Sequence, residues 1–177
     1  MRFLAALGMT LLTGCGFHFA GSRPLPPALA SVYIDVVTPY SVSKPPIEQA
    51  LRSRLLRRGA TLTSSLAQAR TVVRISELTE SREVLSVDPF GKAVEFKLTT
   101  RVQYEMVETG GDTVPPATIQ VSRDYSFNAQ QVLAKEAEEQ RLQTFMQDEL
   151  AELLLLRLEA QLADRSAAPA GATPPPP

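Results

Sequence analysis

The chain has 177 residues, 44% of them hydrophobic and 21% charged, and 18 Lys plus Arg against 19 Asp plus Glu leave a net charge of −1. These values fit one globular domain and exclude a mainly disordered chain, a collagen-like fibre and a multi-span membrane protein. No global positive field is present to draw nucleic acid, and one Cys with one His excludes an internal disulfide and the usual zinc sites.

The first 14 residues read as a lipoprotein signal peptide. Met1-Arg2 supplies a charge, Phe3 to Leu12 is mostly apolar, and the run is far shorter than the roughly 20 residues of a spanning helix. It closes on Leu12-Thr13-Gly14-Cys15, which resembles a bacterial lipobox, so Cys15 is the expected lipid attachment site and mature N-terminus. Several acyl chains on Cys15 hold a protein to a membrane stably, at about 0.8 kcal/mol per buried CH₂. Gly16, where an Asp favours inner-membrane retention, points to the outer membrane. Residues 15–31, with Pro24, Pro26 and Pro27, read as a lipidated tether, 32–164 as the folded domain, and 165–177 as a disordered Ala/Pro-rich tail.

Within the domain, Val32 to Val37 is β-branched and aromatic and predicts a strand ended by Pro39. Ser43 or Lys44 leads into Pro45-Pro46 and a helix with Ile47, Ala50, Leu51, Leu55 and Arg58 on one face, closed by Gly59. Thr71 to Val84 predicts a strand whose alternation changes phase near Glu77-Leu78, the mark of a bulge. Asp88-Pro89-Phe90-Gly91 is a turn signal. From Ala93 to Glu108 the period is strictly two: Val94, Phe96, Leu98, Thr100, Val102, Tyr104 and Met106 fall on one face, polar residues on the other. Gly110-Gly111-Asp112 and Pro115-Pro116 mark a loop, and the last strand is expected near Ala117 to Phe127. Asn128 or Gln130 opens a helix to about Ala163 with Leu142, Phe145, Met146, Leu150, Leu153 and Leu154 as its stripe, and apolar residues all round Leu153–Leu156 suggest a second contact surface. The fold expected is an α+β two-layer sandwich: a four-stranded mixed sheet with two amphipathic helices on one face, the first strand parallel to one of the meander strands.

No catalytic constellation emerges. His18 has no partner in sequence, Glu77, Glu80 and Glu83 read as a solvated strand edge, and Gly110-Gly111 lacks the Lys-Ser or Lys-Thr of a phosphate loop. Cys15 is committed to lipid, so no enzyme and no cofactor beyond the acyl groups are expected. Arg123 falls on the otherwise apolar face of the last strand, where a charge must be bulged outward, paired or placed at the rim. With Lys92 beside the turn and Lys135 early in the long helix it forms a candidate anion site suited to phosphorylated sugar headgroups, although each alone reads as a surface charge.

Several segments together resemble the LPS-assembly lipoproteins of the LptE type. Cys15-Gly16-Phe17-His18 with its proline-containing tether is similar to their mature start, Gly91-Lys92-Ala93-Val94-Glu95-Phe96 to their turn and third strand, and Arg123-Asp124-Tyr125-Ser126-Phe127-Asn128 with Leu133-Ala134-Lys135-Glu136 to their passage into the long helix. The resemblance implies a plug inside the outer-membrane barrel LptD that supports barrel assembly and lipopolysaccharide insertion, with Arg123, Lys135 and Lys92 as lipopolysaccharide contacts. The turn departs from the pattern: Phe90 stands where a basic residue is expected before the Gly, leaving Lys92 or Arg82 to substitute. Other classes remain open: an adaptor of another envelope transport or barrel-assembly complex, a tethered hydrolase, or a carrier with a lipid cavity on the apolar face.

Overall fold

The computed structural model describes residues 24–37, 44–111, 113–127 and 132–167. The signal peptide, Cys15, the start of the tether and the expected helix openings at Asn128 and Gln130 lie outside the described residues. A 3-10 turn over Pro27–Leu29 leads into β1 (Ser31–Val36), followed by α1 (Pro46–Arg57), β2 (Thr61–Leu62), β3 (Thr71–Val87), β4 (Ala93–Glu108), β5 (Thr113–Ser126) and α2 (Val132–Ala167). The sheet order is β2-β1-β3-β4-β5. The β1 strand runs parallel to β2 and β3, and β3, β4 and β5 form an antiparallel meander.

The sheet therefore has five strands where four were expected. The fifth, β2, is too short for any pattern; Thr61 N–H donates to the Ala30 carbonyl at 2.8 Å and Thr63 N–H to the Val32 carbonyl at 3.0 Å. The α1 helix ends in a Schellman closure: Ala60 N–H donates to the Leu55 carbonyl, Gly59 N–H to the Leu56 carbonyl, and Gly59 takes φ 86°, which a side chain would strain. The bulge in β3 stands where the phase change placed it, with register lost between Ser76 and Thr79 and Glu77 at φ 51°. The turn after β3 is held by Asp88, whose Oδ1 accepts from both Phe90 N–H and Lys92 N–H.

Two expectations need correction. Pro115 and Pro116 are not loop; they lie within the edge strand β5, in the bulge between the pairs Tyr104↔Ala117 and Met106↔Val114, where neither has a partner on β4 and no ladder bond is lost. The buried stripe of α2 is Met146, Leu150, Ala151, Leu154, Leu155, Leu158 and Leu162, while Phe145 is 56% exposed and Leu153 36%. The stripe is rotated because α2 packs on the sheet and on α1 together, so its buried arc is centred between the two. The helix also continues to Ala167, into the stretch read as tail.

The core is one cluster between sheet and helices, containing Val32, Ile34, Leu51, Leu55, Val73, Ile75, Tyr104, Met106, Leu150 and Leu154. Gln147 joins three elements: its Oε1 accepts from Ile47 N–H at 3.2 Å, and its Nε2 donates to Glu80 Oε1 at 3.0 Å. Gln147→Leu leaves a buried helix-end donor unpaired, so it is expected to cost about 1–3 kcal/mol in urea unfolding, against less than about 0.5 kcal/mol for Thr144→Ala one turn away on the surface.

Candidate functional site

Strict alternation gives the sheet two unlike faces, and the chemistry is distributed accordingly. On the helix side, β5 carries Arg123 opposite Leu98. Its Nη2 donates to Glu149 on α2 at 2.7 and 2.6 Å, and its Nη1 to the Ser122 carbonyl at 2.9 Å. Arg123 is thus both paired and at the rim. Lys135 donates to Glu138 at 2.7 Å on its own helix. Lys92 is fixed through its backbone by the Asp88 turn, and its side chain has no carboxylate partner among the described residues. Lys92 stands six residues along the strand from Leu98, the partner of Arg123, a separation of about 20 Å at strand rise. The three cations do not converge on one pocket; two are neutralised internally and one projects from the hairpin tip.

Between these levels is a cluster that sequence reading missed. The Arg82 guanidinium lies 3.8 Å from the Phe96 ring centroid and donates to Glu139 Oε2 at 2.9 Å. The same carboxylate accepts the Tyr125 hydroxyl. Phe96 stacks on Tyr125 at 5.7 Å and meets Phe127 edge-on at 5.8 Å. Burial, then the hydrogen bond to Glu139, pushes the Tyr125 phenol up to about 12. The cluster ties β3, β4 and β5 to the first half of α2. The aromatic residues were legible as dry-face positions; Glu139 carried no signal, since only the docking of α2 brings it to Arg82.

Farther down, Arg54 on α1 forms a two-point bridge to Asp148 on α2 at 2.8 Å, and Arg58 meets Glu159 at 2.8 Å. The Arg54 hydrogen bonds hold Asp148 below the usual carboxylate range. Burial alone would raise Glu48, but hydrogen bonds from Lys44 and Arg52 bring it below its ordinary value.

The opposite face of the sheet is polar, with no element laid over it among the described residues. Register sets Glu83, Lys97 and Asp124 in one row, Ser81, Thr99 and Ser122 in the next, and Thr79, Arg101 and Gln120 in a third. Thr99 and Ser122 share a hydrogen bond at 2.9 Å, and Arg101 donates to Gln120 at 3.0 Å. Among the described residues no group of three His, Cys, Asp or Glu is placed to hold a metal, and no helix is long and apolar enough to cross a membrane.

This two-layer architecture is that of known bacterial lipoproteins. A rare lipoprotein B from Shewanella oneidensis superposes with a TM-score of 0.64 at 21% identity, covering 76% of this chain and 98% of that one. An uncharacterised lipoprotein B from Nitrosomonas europaea gives 0.65 at 24% identity, covering 84% and 94%. Sequence similarity is more specific. The family described as "LptE: Lipopolysaccharide-assembly" matches residues 29–158, and the chain belongs to that family. LPS-assembly lipoprotein LptE of Photorhabdus laumondii is 27% identical over 158 residues, covering 89% of this chain and 84% of the relative. That of Pectobacterium atrosepticum is 28% identical over 159 residues, covering 88% and 84%. The chain is accordingly an LPS-assembly lipoprotein of the cell envelope.

The Tyr125 environment makes a titration prediction. The folded phenol stays protonated while the unfolded one ionises from 10 upward, so folding stability falls as pH rises from 10 to about 12 and is unaffected below. Absorbance titration near the phenolate band, compared with that of Tyr125→Phe, is expected to assign a late ionisation to Tyr125, and Glu139→Gln to bring that inflection down from about 12.

Proposed function

We propose that this chain is the lipid-anchored partner of an outer-membrane barrel of the LptD type, held beside it by acyl groups on Cys15 and seated in its lumen. There it supports barrel assembly and passage of lipopolysaccharide to the outer leaflet. The observation that carries the reading is the open polar face of the sheet, rows of Ser, Thr and Gln with charges of both signs. Barrel lumens are polar, so such a face meets matching hydrogen-bonding groups there. Family membership supports the same role, and the acyl anchor raises the effective concentration of the chain beside its barrel. The role makes and breaks no bond, so no catalytic residue and no cofactor are assigned.

Lipopolysaccharide contact is assigned first to Lys92, which projects from the tip without a carboxylate partner. Arg123 and Lys135 join it only by exchanging Glu149 and Glu138 for phosphate. The internal pairs oppose an autonomous anion trap and favour a role in which the barrel and this chain share the lipid.

Affinity purification of the tagged, lipidated chain from detergent-solubilised outer membranes is expected to recover one large barrel. Its absence from a correctly lipidated preparation overturns the reading. Thr99→Trp, a bulky residue in the middle of the polar face, is expected to cut barrel recovery at least tenfold with thermal unfolding little changed. In lipopolysaccharide binding, Lys92→Ala is expected to weaken affinity about fivefold, from the ~1 kcal/mol that one cation contributes near an anionic lipid surface. Arg123→Ala combined with Lys135→Ala is expected to change it less.

A further inference from the structure

We infer that the edge of β3 over Thr79–Val84, unpaired among the described residues, accepts an extended strand from a protein partner, added to the sheet collinear with β1. The inference rests on the barrel reading for the identity of that partner.

The β1 strand already uses this edge. It pairs with β3 from Thr71 to Ile75, Val37 N–H adds a last bond to the Ile75 carbonyl at 2.8 Å, and the pairing stops there. The β3 strand continues to Val87 with β4 on its other side. Every residue from Thr79 to Leu85 is exposed, while β4 beside it keeps its alternation of buried and half-exposed positions. Loss of the two-residue burial period on this strand means that, among the described residues, no strand lies along its outer edge, and its helix-side face meets α2 only through Glu80 and Arg82.

The open stretch is regular. Thr79 to Val84 pair with Arg101 to Phe96 without a break, and the register shifts lie outside it, at Ser76/Thr79 and Val84/Ser86. Natural edges are guarded by Pro, Lys or inward charges. Thr79–Val87 holds no Pro and no Lys. Its inward charges, Glu80 and Arg82, are already satisfied by Gln147 and by Glu139 with the Phe96 face, so the edge is guarded by charge on the helix side and by no Pro or Lys along the backbone.

Space for the side chains of an added strand is also present. The α1 helix begins only at Pro46, level with Gln147, so among the described residues no helix lies beside the first half of α2. Gln140 and Thr144 lie on the same stripe of α2 as Gln147, and with Ala137 and Arg141 they line a concavity of about 400 Å³. Alternate residues of a strand continuing the line of β1 would project into the vacancy that a longer α1 would fill. A peptide backbone is the occupant that repeats donors and acceptors at the spacing of the edge; lipid and sugar do not.

Hydrogen exchange on the full chain, alone and in the detergent-purified barrel complex, tests the inference. Alternate amides of Thr79–Val84, those pointing away from β4, are expected to exchange freely in the isolated chain and at least about a hundredfold more slowly in the complex. Protection already present in the isolated chain, or unchanged fast exchange in the complex, overturns the inference and leaves the barrel reading intact. Failure to recover any barrel overturns both. Proline scanning gives a second readout. Glu83→Pro removes an amide that faces β4 and is expected to lower thermal stability; Val84→Pro removes an outward amide, keeps stability, and is expected to cut barrel recovery at least tenfold. Wild-type recovery by the stable variant overturns strand addition.

Discussion

A strand that alternates without interruption over sixteen residues imposes a dry face of the same length on its sheet, and that face has to be covered. In this protein the demand falls on two very unequal helices. The α2 helix, with 36 residues, extends about 54 Å and runs the length of the sheet; α1, with 12, extends about 18 Å and covers only the end where β1 and β2 lie. The layered core with two helices therefore occupies the lower part of the molecule, and above it three strands share one helix. Each fully buried Leu or Met of α2, such as Met146, Leu150, Leu154 and Leu158, contributes about 1.5–3 kcal/mol, and these cluster toward the α1 level. The upper part is held instead by the Arg82–Glu139–Tyr125 cluster and its aromatic neighbours.

The electrostatics follow the same division. Arg54, Arg58, Arg82 and Arg123 each reach a carboxylate on α2, so four arginines from α1 and its C-cap, β3 and β5 converge on one helix. These pairs fix the rotation of α2 about its own axis, which the apolar stripe alone leaves loose, since apolar residues surround the Leu153–Leu156 turn. Partly exposed pairs contribute little stability individually, so specifying the docking angle is their larger effect. Arginines spent on internal orientation are not available to ligands, which is why near-neutral composition and an anionic-ligand site sit uneasily together here.

Much of the fold was legible in the residues because β4 and its surroundings obey local rules. The period-two run, the Asp88–Gly91 turn, the Gly59 cap and the phase change at Glu77 each have a local cause and each stands where it was expected. What was not legible depended on tertiary context. The β2 strand has two residues and exists only because α1 returns the chain beside β1. Pro115-Pro116 reads as loop until β5 is known to be an edge. Phe145 and Leu153 read as core until α1 is placed and rotates the buried arc. The candidate site was legible only as residue types: Arg123 was correctly singled out as a charge on an apolar face, but its partner Glu149 lies twenty-six residues on and no spacing rule joins them.

The geometry also explains why the unpaired stretch of β3 lies where it does. The chain enters the sheet at Ser31, and β1 pairs with the beginning of β3, so the tether side and the β3–β4 turn are at opposite ends of a strand about 56 Å long. Anything anchored through the N-terminal side holds the two-helix end near its attachment and presents the single-helix blade at a distance. An exposed edge near the membrane attachment would compete with the tether for partners; an edge at the far end is sterically free. Exposed strand edges promote aggregation, and here bulges at both ends and the inward-turned Glu80 and Arg82 limit that hazard while leaving the backbone of the stretch open to one added strand. The same length mismatch between α1 and α2 that thins the core thus creates both the open edge and the room beside it, and it ties the one under-built region of the fold to the surface best suited to a partner.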